Sequence, residues 1–130
     1  MSRSPTKPRQ KAAQAKPASS QISILDACCD PAIFGRWFKD AATRAAWFAF
    51  LKVMFGLPLN DDEFAIFRKH TGRINPAPGG YFDVTLAIGR RGGKSLILAL
   101  IAAYLACFFD WTPFLTGGEA GTVVIIAADL

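Results

Sequence analysis

Large apolar residues recur at helical spacing through the first half of this chain. Phe34, Trp37, Phe38, Ala41, Ala45, Phe48, Leu51 and Phe55 follow one another mostly at steps of three and four, a pattern that lines one face of a helix. Asp30 followed by Pro31 supplies an N-cap and a first-turn proline. The pattern therefore predicts a helix running from this cap to Gly56 and Pro58, which close it. Arg36, Asp40 and Arg44 fall on its other side at i, i+4 steps, as opposite charges on a solvated face should. The aromatic stripe has the makings of a base-stacking surface, but at this spacing it reads as core. A shorter helix is expected to begin at Asn60. Asp61, Asp62 and Glu63 stand near its positive end, with Glu63 placed for a capping box, and it should stop near Gly72. Asn75, Pro76, Pro78, Gly79 and Gly80 then break regular structure.

The period changes after this break. Over residues 81–88 the apolar members Phe82, Val84, Leu86 and Ile88 alternate with Asp83, Thr85 and Ala87, which predicts a strand. A glycine-rich loop follows, then an apolar helix from about Gly93 to Phe109. Pro113, Gly117 and Gly118 mark a loop over residues 110–121. Residues 122–128 are a continuous apolar run rich in Val and Ile, as expected of a parallel strand buried on both faces. Strand, loop, helix, loop and strand in this order make one βαβ unit, right-handed by the usual rule. The expected fold class is α/β.

Composition refines this picture in three places. The chain has 130 residues, about half of them apolar, and a formal charge of +5. That excess belongs to residues 1–20, where Arg3, Lys7, Arg9, Lys11 and Lys16 occur without any acid. With Pro5, Pro8 and Pro17 and no large apolar residue, this tail cannot bury enough surface to offset its ordering entropy, so it reads as disordered. It serves as a solubilising leader or as a loose contact to nucleic-acid phosphates, and it lacks the apolar stretch of a signal peptide. Cys28, Cys29, Cys107 and the single histidine, His70, have no zinc-site or disulfide-framework spacing, which fits a reducing cytoplasm. The uncharged stretch 96–109 is shorter than the ~20 residues a bilayer crossing needs, so it is read as a core helix.

The chemistry is concentrated in Gly89-Arg90-Arg91-Gly92-Gly93-Lys94-Ser95. A triphosphate carries several negative charges, and successive backbone N–H groups at a helix N-terminus hold them, aided by the helix dipole. Gly92 and Gly93 remove side chains that would keep those N–H groups from the phosphate oxygens. Lys94 supplies a point charge to the β and γ phosphates, and the Ser95 hydroxyl can ligate Mg²⁺. The run departs from G-x-x-x-x-G-K-[ST], because Ile88 stands where the first glycine would be and Gly89 lies one residue late. Arg90 and Arg91 can bracket a γ-phosphate, and Arg90 is the preferred candidate for an arginine acting in cis. The plain alternative for each is a surface charge.

The run from Leu86 to Ser95 resembles the deviant Walker A of large terminase subunits, the DNA-packaging motors of tailed bacteriophages, which commonly show G-R-x-x-G-K-[ST]. Phe67-Arg68-Lys69-His70-Thr71-Gly72-Arg73 and residues 123–130 are also similar to that family, so the likeness spans roughly residues 55–130. The resemblance implies an ATP- and Mg²⁺-binding part of a motor that drives double-stranded DNA into a procapsid, usually joined to a nuclease. It implies partners: the portal, the small terminase subunit and further copies of the motor subunit, in the cytoplasm of a bacterial host. By resemblance Lys94 and Ser95 hold phosphate and Mg²⁺, and Arg90 senses or stabilises the γ-phosphate.

The expected organisation is a disordered basic tail at 1–20, a helical N-terminal segment at 21–80, and an incomplete P-loop ATPase domain at 81–130. Asp129 superficially resembles a Walker B aspartate. However, Leu130 follows it rather than an acid, only one helix separates it from the loop, and the resemblance makes its strand the second one. A Walker B acid and nuclease carboxylates are expected beyond residue 130. The chain thus reads as an N-terminal fragment that alone binds nucleotide weakly at best and does not turn over. The rival readings are another P-loop NTPase, helicase-like or kinase; a non-enzymatic product contacting nucleic acid through its tail; and a small membrane protein using residues 96–109.

Overall fold

The computed structural model describes residues 22–126. Four α-helices carry the fold: α1 (Ile24–Cys29), α2 (Ala41–Phe55), α3 (Asp61–Thr71) and α4 (Lys94–Cys107), with 3₁₀ turns at Gly35–Trp37 and Thr112–Phe114. Each of the first three α-helices begins at a side-chain cap. Ser23 and Asp26 form a capping box on α1, Asp40 accepts from the amides of Ala42 and Thr43 on α2, and Asn60 and Glu63 form a second box on α3. Gly56 and Gly72 end α2 and α3 in the left-handed conformation, at φ 69° and 68°. An L-residue would be strained there.

The expectation of an α/β fold is overturned, because the described residues contain no strand and hence no parallel sheet or βαβ unit. Residues 81–88 and 122–126 run as irregular chain. A strand persists only when its N–H and C=O groups find a lateral partner, and these two segments do not pair. Their apolar side chains stay in solvent: Phe82 is 80% exposed and Ile126 93%. Residues 127 and 128 of the second expected strand, Asp129 and the tail at 1–20 lie outside the described residues.

The single helix expected from Asp30 is also corrected. Asp30 instead shapes a turn, its Oδ1 accepting from the Ala32 amide at 2.8 Å and its carbonyl from the Gly35 amide at 2.8 Å. A Cβ at Gly35 would lie 2.9 Å from the Asp30 carbonyl, so the turn is closed too tightly for a larger residue. The helix restarts ten residues later because Asp40 caps it. Arg36 lies over the Trp37 ring at 4.3 Å.

The core gathers Ile24, Ala27 and Cys28 of α1, Phe34 and Phe38 of the turn, Leu51 of α2, and Ile97, Leu100, Ile101 and Tyr104 of α4. The stripe is core in part: Phe34, Phe38 and Leu51 are buried, Phe48 and Phe55 are half-buried, and Trp37, Ala41 and Ala45 are exposed. Tyr104 donates its hydroxyl to the Ile22 carbonyl at 3.0 Å and meets Phe55 edge-on at 5.4 Å. Helices α2 and α3 are joined by Lys52 and Glu63, at 2.7 Å between Nζ and Oε1. Because Glu63 also accepts from the Asn60 amide at 2.9 Å, the cap and the ion pair share one nearly buried carboxylate.

Two consequences are measurable. In chemical denaturation Leu51→Ala should cost ~2–5 kcal/mol, as a methylene cluster removed from a filled core does, and Asn60→Ala about 1 kcal/mol through the lost cap. Burial pushes the Cys28 thiol from 9.0 up to about 12, with the neighbouring Cys29 adding to the rise. The folded state thus holds this proton more tightly than the unfolded one. The contribution is full below pH 9 and is lost as pH rises toward 12. Unfolding midpoints of Cys28→Ala should fall less steeply than those of the wild type across that window.

Candidate functional site

Residues 89–95 form a tight turn that delivers the chain into α4. The Gly92 amide donates to the Gly89 carbonyl at 3.3 Å. Arg91 (φ 62°) and Gly93 (φ 79°) are left-handed, while Gly92 between them is not. Space is tight on the inner side. A Cβ on Gly92 would come within 2.3 Å of Ile88 Cγ2, and one on Gly93 would lie 3.5 Å from Trp47 Nε1.

Gly93 is the N-cap of α4, and no side chain caps that helix. The first main-chain bond inside it runs from the Ile97 amide to the Gly93 carbonyl at 3.1 Å. The amides of Lys94, Ser95 and Leu96 are therefore the orphan donors of a helix start. Of the four α-helices, only α4 lacks a capping side chain. It also has no acid in its first turn, where α3 has three.

Charge makes the contrast sharper. Arg90, Arg91 and Lys94 are exposed, and Lys52–Glu63 is the only ion pair among the described residues. Three cations thus stand at the positive end of a helix dipole, an arrangement that is repulsive until an anion joins it. The structure brings together all seven loop residues: Gly92 is half-buried, and the other six, including Ser95 with its hydroxyl, are exposed. Sequence reading missed the neighbour, Trp47 of α2, whose indole lies against Gly93. Its helical spacing gave no sign that it would face the loop.

Two hollows flank the turn. A small one of about 120 Å³ lies between Trp37, Asp40, Arg44, Trp47 and Gly93. Hydrogen bonds from Thr43 hold the Asp40 carboxyl below its ordinary range. A larger cleft of about 760 Å³ separates α2 and α3 from residues 83–89 and reaches Gly92. At its far end Tyr81 Oη accepts from the Ala77 amide at 3.0 Å and from Arg73 Nη1 at 3.3 Å, and these donors bring the phenol below its usual range.

Cys28, Cys29 and Cys107 are free thiols, the first buried and the others exposed. No helix among the described residues is long and apolar enough to cross a membrane. With 14 residues, α4 is ~21 Å long against the ~30 Å of a hydrocarbon core. No protein-family model, curated protein or solved structure matches the chain.

The left-handed turn can be tested directly. Gly93→Ala should lower stability by about 1–2 kcal/mol, the cost of placing a Cβ in that conformation. Arg91→Gly, which removes such a cost, should leave the urea midpoint nearly unchanged or raise it.

Proposed function

We propose that this chain binds the phosphates of a Mg²⁺–nucleoside triphosphate through residues 89–95, as the ATP-binding part of a double-stranded-DNA packaging motor of the large-terminase kind. The observation that supports phosphate binding is electrostatic. Arg90, Arg91 and Lys94 have no carboxylate partner among the described residues, and they surround the uncapped start of α4. A polyphosphate would accept from the free amides and neutralise the three cations together. Lys94 then meets the β and γ oxygens, Ser95 offers its hydroxyl to Mg²⁺, and Arg90 stabilises charge at the γ-phosphate.

The motor assignment rests on the likeness of the run from Leu86 to Ser95 and its flanks to terminases. DNA, a portal, a small terminase subunit and further copies of the chain are the partners that likeness brings, and a bacterial host cytoplasm is the compartment. Of the two neighbours expected for such a loop, the helix that follows it is present and the strand before it is absent among the described residues. It concerns binding alone. Hydrolysis also requires an acid for Mg²⁺ and a group to orient water, and no described residue is assigned to either role.

Calorimetric titration of the 130-residue chain with Mg²⁺–ATP tests the reading. A charged hydrogen bond contributes ~1.5–3 kcal/mol, so Lys94→Ala should weaken affinity by at least about tenfold. Absence of any heat or saturable binding with the folded wild type would remove the proposal.

A further inference from the structure

The larger cleft has one wall that is firm and one that is not. Its helical wall is mostly apolar, with Phe50 and Val53 of α2 and Ile66 and Phe67 of α3, and carries Thr43, His70 and Thr71 as its polar members. The opposite wall is the chain from residue 83 to residue 89, and this chain is tied at its ends alone. At one end Tyr81 donates its amide to the Met54 carbonyl at 3.0 Å, and at the other the Gly92 amide closes the turn onto Gly89. Residues 82–88 between these ties belong to no helix or strand and make no hydrogen bond to another described residue.

The two ends differ in freedom. Gly79 and Gly80 precede the first tie with φ of 84° and 88°. Gly80 is pressed against the Met54 carbonyl, where a Cβ would lie at 2.3 Å, so that end is fixed in place. Gly89 has nothing within 4 Å of where a Cβ would stand, so the other end has room to swing. Between them Val84 and Leu86 are 42% and 37% exposed while facing an apolar wall across open space. In an extended chain these two share one face. Swinging inward would take both from water without breaking a hydrogen bond, and the chain's own N–H and C=O groups would stay hydrated along its edges.

We propose that residues 82–88 are a strap that closes on this cleft, seating Val84 and Leu86 against Phe50, Val53 and Phe67. The open arrangement is one of its two positions. Since the strap ends at Gly89 and Ile88 packs on Gly92, its closure shuts the space beside the loop and does so whether or not an anion is bound there.

Thiol labelling distinguishes a closing strap from a static one. In the full chain carrying Cys29→Ser and Cys107→Ser, Leu86→Cys is compared with Leu98→Cys on α4, each rate normalised to its value in urea. Leu86 and Leu98 are 37% and 51% exposed, so a static segment labels at a similar rate to the control. A strap open about one tenth of the time labels about tenfold more slowly. Adding Val84→Asp to Leu86→Cys should return the rate to that of the control, because a carboxylate will not seat on an apolar wall. A Leu86→Cys rate equal to the control, or one still slow with Val84→Asp present, overturns the proposal.

Discussion

The burial of one stripe of α4 determines where everything else at the loop can be. Ile97, Leu100, Ile101 and Tyr104 sink into a pocket made by α1, the turn after it and α2, and burying four side chains of this size contributes several kcal/mol. Tyr104 adds direction, because its hydroxyl reaches the Ile22 carbonyl and its ring stands on Phe55. The helix is held in register by these contacts, so its first turn points out of the core with Gly93 beside Trp47. A loop attached to a helix free to rotate would have no such orientation.

Two imbalances remain on the surface and lie next to each other. One is of charge: Arg90, Arg91 and Lys94 crowd a helix start that offers free amides and no acid. The other is of exposed apolar surface, since Phe82, Val84 and Leu86 lead into the turn with their side chains in water. A soluble fold normally disposes of both, with caps and acids at helix starts and with packing over apolar chain. Here the same short stretch carries them together, and the cleft beside Trp47 opens onto both. Local departures of this sort are expected at functional or strained sites.

How much was legible in the chain depended on how local each cause was. Helix α3 could be read almost to the residue, because Asn60, Glu63 and Gly72 act within one turn of themselves. Helix α4 was equally open to reading, since a long apolar stretch after a glycine turn has few alternatives. Helix α1 was overlooked although Ser23 and Asp26 announce it with a capping pair, a signal as clear as that at Asn60. The stripe across residues 34–38 misled because turns and helices both repeat near every third residue; what decided between them was Asp40, whose carboxylate reaches the amides of Ala42 and Thr43 and starts α2 anew. The expected strands failed for a different reason. Alternation describes which faces a segment could present, whereas pairing needs a second segment at the right distance.

The candidate site divides along the same line. That a glycine turn with Arg90, Arg91, Lys94 and Ser95 would open a helix was contained in the order of residues, since glycine's tolerance of left-handed backbone and the charge of a lysine are properties of single positions. That no carboxylate pairs with those charges among the described residues, that Trp47 stands against Gly93, and that a cleft adjoins the turn were decided only by the tertiary structure. These are statements about distance between parts of the chain far apart in sequence. Side-chain packing sets such distances, and no local pattern records them.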